Sequence, residues 1–431
     1  MRLIILVAIV WCSASSCERS PAERVRFRLD EARAPAALGA VPLFGDPAEV
    51  RALSVEGAPD LTTWWQIETH DVDALERELR ARGAVDISRE PTFEPATIAR
   101  EDARDDGPSC PITTPVYDAR QGYRSAIDVD AAWNIPGGRG QGVLVADVEG
   151  QWNEKHEDLP SARIEHVAGV RQAGTNWRAH GTAVLGVVAA QDNGVGMLGL
   201  APDVDRIFTA SLGRIGPARA IFEAARKLGA GDVLILELHG PGPNARGGGQ
   251  QGYVPMEWWQ PEFDAIQHAT ARGVIVVEAG GNGGENLDAP IYKKRFDRSV
   301  RDSGAILVGA GAPPGVGLPE RSRLPFSNHG ARVDVQGWGS LVATLDYGDL
   351  QGCSAVSRKY TARFGGTSSA SPVVAGAALV VQGAHKHARG TVLAPREMRA
   401  LLSATGTPHV GPHNIGPLPH VRRALESLEL R

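Results

Sequence analysis

From about residue 119 onward, short apolar runs alternate with longer stretches of mixed polarity. Val143 to Ala146, Ile207 to Ala210, Val233 to Leu236, Val274 to Val277 and Ala305 to Val308 read as buried strands, and Thr182 to Ala190, Ala218 to Leu228 and Pro261 to Arg272 read as helices between them. Strands that are apolar at nearly every position and separated by helices predict an α/β fold. The expected form is a doubly wound, mostly parallel sheet with helices on both faces.

The N-terminal region follows another pattern. Val25, Phe27 and Leu29 alternate with Arg26 and Arg28, which predicts a half-buried strand. Asp71 to Arg82 reads as a capped amphipathic helix with Val72, Leu75 and Leu79 on one face, stopped by Gly83. Trp64 to Glu68, and Val85 with Ile87, supply further strands. Residues 18–95 are therefore expected to form a small α+β domain, residues 96–115 a linker rich in Pro, Asp and Arg where any processing site should lie, and residues 116–431 the larger α/β domain.

With 431 residues, 42% hydrophobic and 22% charged, the chain has the composition of an ordinary globular protein. A formal charge of −5 without a long basic block excludes nucleic acid as an expected partner. Met1-Arg2 and the apolar run Leu3 to Trp11 have the form of a secretory signal, so residues 1–17 are expected to direct export. Ala14-Ser15-Ser16-Cys17 resembles a bacterial lipobox, although Ala14 stands where Leu is usual. The resemblance implies acylation of Cys17 and a lipid anchor as the only membrane contact; simple cleavage and secretion is the alternative. Of four cysteines, Cys110 and Cys353 lie outside this leader, either bonded in an oxidising compartment or as two thiols.

The candidate chemistry begins at Gly366-Thr367-Ser368, which precedes the apolar run Val373 to Val381. A serine at the start of a hydrophobic helix sits beside unpaired backbone N–H groups and the helix's positive end. Such a serine needs a base and a group to orient it. His180, in Ala179-His180-Gly181-Thr182, heads a small-residue helix, and Asp147 ends the run Gly142 to Ala146. Taken singly, these residues read equally well as a helix cap, a core histidine and a loop-capping aspartate.

Four segments in order, Val145-Ala146-Asp147 with His156-Glu157-Asp158-Leu159, His180-Gly181-Thr182, Gly281-Asn282-Gly283, and Gly366-Thr367-Ser368, resemble those of the subtilisin-like serine peptidases, the subtilases. The resemblance spans about residue 119 to the C-terminus. It implies a serine endopeptidase with Asp147, His180 and Ser368 as the triad and Asn282 as an oxyanion donor. It also implies polypeptide substrates and an N-terminal domain serving as chaperone and inhibitor of a proenzyme; the chain is expected to be a monomer. A permanent accessory domain is the alternative for that N-terminal unit. A peptide-binding homologue with little activity and an acyl-transfer enzyme, such as a peptide cyclase or esterase, remain alternatives for the whole.

The family usually has Ser or Thr and then Gly after the aspartate, where this chain has Val148-Glu149-Gly150. Gly280-Gly281 before Asn282 also carries one glycine more than usual. The loop Gln191 to Met197 aligns with a subtilase calcium loop, which implies Ca²⁺ held by Asp158, Asn193 and the carbonyls of Gln191, Val195 and Met197. Its Gly194-x-Gly196-x-x-Gly199 spelling is not a nucleotide site, because a helix precedes it and Leu200-Ala201-Pro202 follows. Glu237 and Glu278, near the substrate strand and the strand leading to Asn282, are candidates for selecting basic residues in the primary pocket.

Overall fold

The computed structural model describes residues 21–30, 35–98, 107–247 and 249–430. The expected leader and the expected acylation of Cys17 lie outside the described residues. Two compact units emerge, one comprising Met1–Val41 and Trp65–Glu90, the other Pro42–Trp64 and Pro91–Arg431.

In the first unit, β1 (Glu23–Arg28) lies antiparallel to β4 (Val85–Arg89) in a sheet of order β2-β3-β1-β4, with β2 at Val41–Pro42 and β3 at Trp64–Thr69. Alternation along β1 buries Val25 and Phe27, which cluster with Trp65 and with Val72 and Leu79 of a helix. That helix, Val72–Ala81, is capped by Asp71, whose carboxylate accepts the Ala74 N–H at 2.9 Å. Residues 42–64 depart from the expected boundary. They include the helix α1 (Pro47–Ala52), which makes the Val72–Ala81 helix α2, and they belong to the larger unit. The reason is local packing: Phe44 meets the Phe222 ring edge-on at 5.8 Å, and the Trp64 indole donates to Asp264 at 2.9 Å.

The second unit is built on a seven-stranded parallel sheet of order β14-β13-β12-β9-β6-β8-β7, the architecture expected from the apolar runs. Its strands are β6 (Leu144–Glu149), β7 (Ile164–Ala168), β8 (Arg206–Ser211), β9 (Val233–Leu236), β12 (Ile275–Ala279), β13 (Ile306–Gly311) and β14 (Val335–Trp338). Two short helices, α3 (Gly122–Ala126) and α4 (Asp130–Trp133), precede it. Helices α5 (Thr175–Ala189) and α8 (Thr367–Arg389) cover one face; α6 (Pro217–Ala225) and α7 (Gln260–Ala271) cover the other.

The pleat sorts residues between those faces. Val145 and Ile235 join the core under α5 and α8, whereas Ala146, Val148, Leu234 and Leu236 join the opposite core. Odd-numbered positions 147, 149 and 237 therefore face α5 and α8. Beside the sheet, β5 (Glu94–Pro95), β10 (Leu238–Pro241) and β11 (Tyr253–Pro255) form an antiparallel sheet of order β11-β10-β5, and β15 (Val342–Leu345) pairs with β16 (Tyr360–Phe364). A disulfide joins Cys110 to Cys353 with Cα atoms 4.8 Å apart.

Candidate functional site

Ser368 is the second residue of α8 and fully buried. The turn leading to it depends on Gly366, whose φ is +106° and whose hypothetical Cβ would lie 2.2 Å from the Ala96 carbonyl. Only glycine accepts both that backbone geometry and that approach. His180 lies in the second turn of α5. This helix begins at Thr175, earlier than the apolar pattern indicates, because Thr175 to Arg178 is polar and contributes little to the periodic signal.

His180 Nδ1 lies 2.5 Å from Glu149 Oε2, with both side chains buried. The expectation for Asp147 is therefore corrected in its geometry: the structure brings Glu149, not Asp147, to His180. Asp147 instead accepts the Trp152 indole N–H at 2.7 Å. The strand alternation that puts Asp147 on the α5 face puts Glu149 there too, and Glu149, two residues nearer the strand's carboxyl end, reaches the helix. The replacement of the usual Ser or Thr and Gly by Val148-Glu149 was the sequence signal for this.

Asn282 follows β12 in the turn Gly280 to Gly284. Its Oδ1 accepts both the Thr367 N–H and hydroxyl at 2.9 Å, which turns the amide nitrogen the other way, onto Gln250 Oε1 at 3.0 Å. The Asn282 N–H donates to His239 Nδ1 at 3.1 Å. His239 is thus a neutral acceptor, and burial, reinforced by nearby His180, lowers its pKa to about 3. The Ser368 hydroxyl donates to the Glu237 carbonyl at 3.0 Å, while His180 Nε2 has no hydrogen-bond partner among the described residues.

A segment of the chain itself crosses this site. Glu94 and Pro95 pair antiparallel with His239 and Leu238. The Ala96 N–H donates to the Glu237 carbonyl at 2.9 Å, and the Ala96 carbonyl accepts the Ser368 N–H at 3.0 Å. Beyond it, the Thr97 hydroxyl donates to the Gly365 carbonyl at 2.9 Å. Phe93 meets Trp259 edge-on at 4.8 Å, and Gln250 holds the Pro95 carbonyl at 2.8 Å. Sequence reasoning placed residues 96–115 in a linker and did not foresee this binding, because the segment carries no motif of its own. His239, Gln250 and Trp259 were missed for the same reason.

Neither candidate specificity acid lies where a pocket would need it. The Glu237 carboxyl is fully buried against Asp147 and Ser371, and that of Glu278 accepts the Glu257 N–H at 2.9 Å. Burial raises both pKa values, with further increases from Asp147 and Glu257 respectively, so neither offers a charge to a basic side chain. These two expectations are corrected.

The loop from Gln191 to Met197 gathers round Asp158. Asp158 Oδ2 accepts the Met197 N–H at 2.7 Å, whereas its buried Oδ1 has no hydrogen-bond partner among the described residues. Burial raises its pKa to about 8. Asn193 Oδ1 accepts the Val195 N–H at 3.1 Å, and the Gln191 side chain donates to Leu159 at 2.9 Å. No group of three or more His, Cys, Asp or Glu among the described residues could hold a metal, so a cation here would depend largely on carbonyl oxygens. An unpaired buried carboxylate oxygen beside such a loop fits a hard cation.

Comparison with known proteins settles the lineage: the profile of the subtilase family matches residues 140–416. The chain belongs to the subtilase family. An alkaline protease of Alkalihalobacillus alcalophilus is 28% identical over 338 residues, covering 78% of this chain and 75% of that protein. An extracellular protease of Xanthomonas campestris pv. campestris is 30% identical over 275 residues, 62% of this chain and 41% of that one. Among solved structures, fervidolysin from Fervidobacterium pennivorans, a keratinolytic enzyme related to subtilisin, superposes with a TM-score of 0.58 at 18% identity, covering 95% of this subtilase and 62% of fervidolysin. The structural likeness supports the fold, and the family supports serine protease chemistry in general.

Proposed function

We propose that this subtilase is an exported serine endopeptidase made as a proenzyme, with Ser368 as nucleophile, His180 as base and Glu149 as the orienting acid. The observation that carries the reading is the Ala96 carbonyl on the Ser368 N–H, with the flanking chain in antiparallel register on β10. This is how a substrate would lie, with Ala96–Thr97 as the bond presented.

Rotation of the Ser368 hydroxyl off the Glu237 carbonyl frees it to attack the Ala96 carbonyl carbon. His180 Nε2 takes the proton, Glu149 stabilises the resulting imidazolium, and the Ser368 N–H with the Asn282 amide stabilises the oxyanion. The C–N bond then breaks, His180 protonates the leaving Thr97 amine, and water hydrolyses the acyl-enzyme. Release of Asn282 Nδ2 from Gln250 would complete the oxyanion site.

The test is the mass of the full chain over time beside Ser368→Ala. A new N-terminus at Thr97 that forms only with Ser368 supports the reading. A fluorophosphonate that labels neither protein before or after removal of the N-terminal region sinks it. A peptide-binding protein with slow turnover is the second reading, favoured by the Ser368 hydroxyl bonding to Glu237 rather than to His180. Labelling without processing would select it.

Export follows the leader and the extracellular name of one relative, with Cys17 as the anchor site. Asp158 and the 191–197 loop are proposed to hold Ca²⁺, which there would neutralise the buried carboxylate. A melting temperature unaffected by calcium or chelator would discard that site.

A further inference from the structure

The catalytic end of the sheet holds three buried carboxyl groups, and the reaction uses one. Parallel pairing sets Asp147 opposite Ile235 and Val148 opposite Leu236, which brings Glu237 beside Glu149 at the strand ends. Asp147 and Glu237 lie on the same sheet face under α5 and α8, both are fully buried, and Asp147 Oδ1 and both Glu237 carboxyl oxygens have no hydrogen-bond partner among the described residues. Carboxyl groups buried side by side without donors or a cation do not all ionise, so at least one keeps a proton.

Among the described residues, no lysine or arginine is paired with either group. Asp147 Oδ1 and both Glu237 carboxyl oxygens lack an N–H donor among the described residues, and Trp152 and Ser371 are the neutral groups beside them. The titratable groups facing the pair are Glu149 on β6, His180 on α5 and His239 on β10. Tyr347 lies near Glu149 from beyond β15, and α8 presents only hydroxyls. Arg178 is engaged with Asp346 at 3.6 Å.

We propose that Asp147 and Glu237 are positioning residues that hold a proton behind the His180–Glu149 pair, leaving Glu149 as the anion committed to the histidine. The inference rests on the serine peptidase reading above. The link to chemistry is Glu237 itself, whose carbonyl accepts both the Ser368 hydroxyl and the Ala96 N–H. Losing the proton adds buried negative charge on the residue whose carbonyl holds the Ser368 hydroxyl, and that charge opposes a transition state that develops an oxyanion nearby on Ser368's substrate. Burial and Glu149 raise the Asp147 pKa to about 8, so the loss begins on the alkaline side.

Fluorophosphonate labelling of Ser368 should be followed against pH in the full chain after processing, for wild type and the double variant Asp147→Asn/Glu237→Gln. Each protein is scaled to its own rate at pH 7. Wild type is expected to lose about tenfold per pH unit once the pair gives up its proton, and the double amide to hold within about threefold across that range. Identical alkaline limbs would overturn the inference. An infrared difference spectrum between the same proteins in a Ser368→Ala background gives a readout free of activity. A carboxylic-acid band at neutral pH that the amides remove supports the shared proton, and its absence overturns it even if labelling fails. Failed labelling with the band present counts against the peptidase reading alone. If the double variant does not fold, Glu237→Gln is read by the same band.

Discussion

Two clusters of buried acids lie in the same unit and are treated in opposite ways. At one, Glu257 is held by Arg332 through two bonds, at 2.7 and 2.9 Å, with Ser303 adding a third at 2.7 Å, and Asp334 takes Arg332 Nη1 at 2.6 Å. At the other, Asp147, Glu149 and Glu237 meet no arginine or lysine among the described residues and are served by an indole, a histidine and hydroxyls. Burial pushes Glu257 up, but Arg332 more than offsets it and its pKa ends below the usual value. Burial of Asp147 is instead reinforced by Glu149 and its pKa rises. Compensated charge serves architecture, whereas acids without a cation keep protons and can respond to a reaction.

The sharpest way to break this comparison is to swap acids for amides within the cluster beside His180. Glu149→Gln should lower kcat on a peptide substrate by roughly 10⁴-fold, since it removes the group holding the histidine tautomer. Asp147→Asn at neutral pH should cost far less, about tenfold or under. The reverse order would restore Asp147 as the orienting acid. In the compensated cluster, Arg332→Leu should leave Glu257 buried without its arginine, while Asp334 keeps Arg298, and destabilise the fold by about 3–5 kcal/mol in urea unfolding of the Ser368→Ala chain. A loss below about 1 kcal/mol would show that the cluster is dispensable.

Stability against pH separates the clusters further. The folded Asp147 keeps its proton to about pH 8 while the unfolded group loses it near 3.8. Its contribution is therefore fully present below the unfolded value and fades as pH rises toward the folded one, at up to about 1.4 kcal/mol per unit. Asp147→Asn should flatten this slope, as measured by denaturant midpoints between about pH 5 and pH 8. The smallest effect is expected at Ser303→Ala, which removes one bond to a charged acid that Arg332 still holds, for about 1.5 kcal/mol.

Motif spacing located Ser368, His180 and Asn282 because each lies in a turn or small-residue helix whose local sequence is constrained by backbone geometry. The choice between Asp147 and Glu149 was not local. Both share a strand face, and which one reaches His180 depends on how far along β6 the helix α5 crosses. Glu237 and Glu278 looked available for substrate from strand position alone, but neighbouring strands and α8 enclose them. The segment at Phe93 to Thr97 was divided between the end of the N-terminal domain and the linker, because its partners, β10 and the Ser368 turn, lie more than a hundred residues away.

By itself, the sequence determined the parallel sheet, the N-terminal α+β unit and the order of the reactive segments, since apolar period and glycine turns are properties of neighbouring residues. Tertiary structure alone decided which acid contacts the histidine, which acids are buried without a cation among the described residues and which segment pairs with β10 beside Ser368. Those outcomes depend on burial and on distances between separate strands and helices, and electrostatic energy in a low-dielectric interior changes steeply with both.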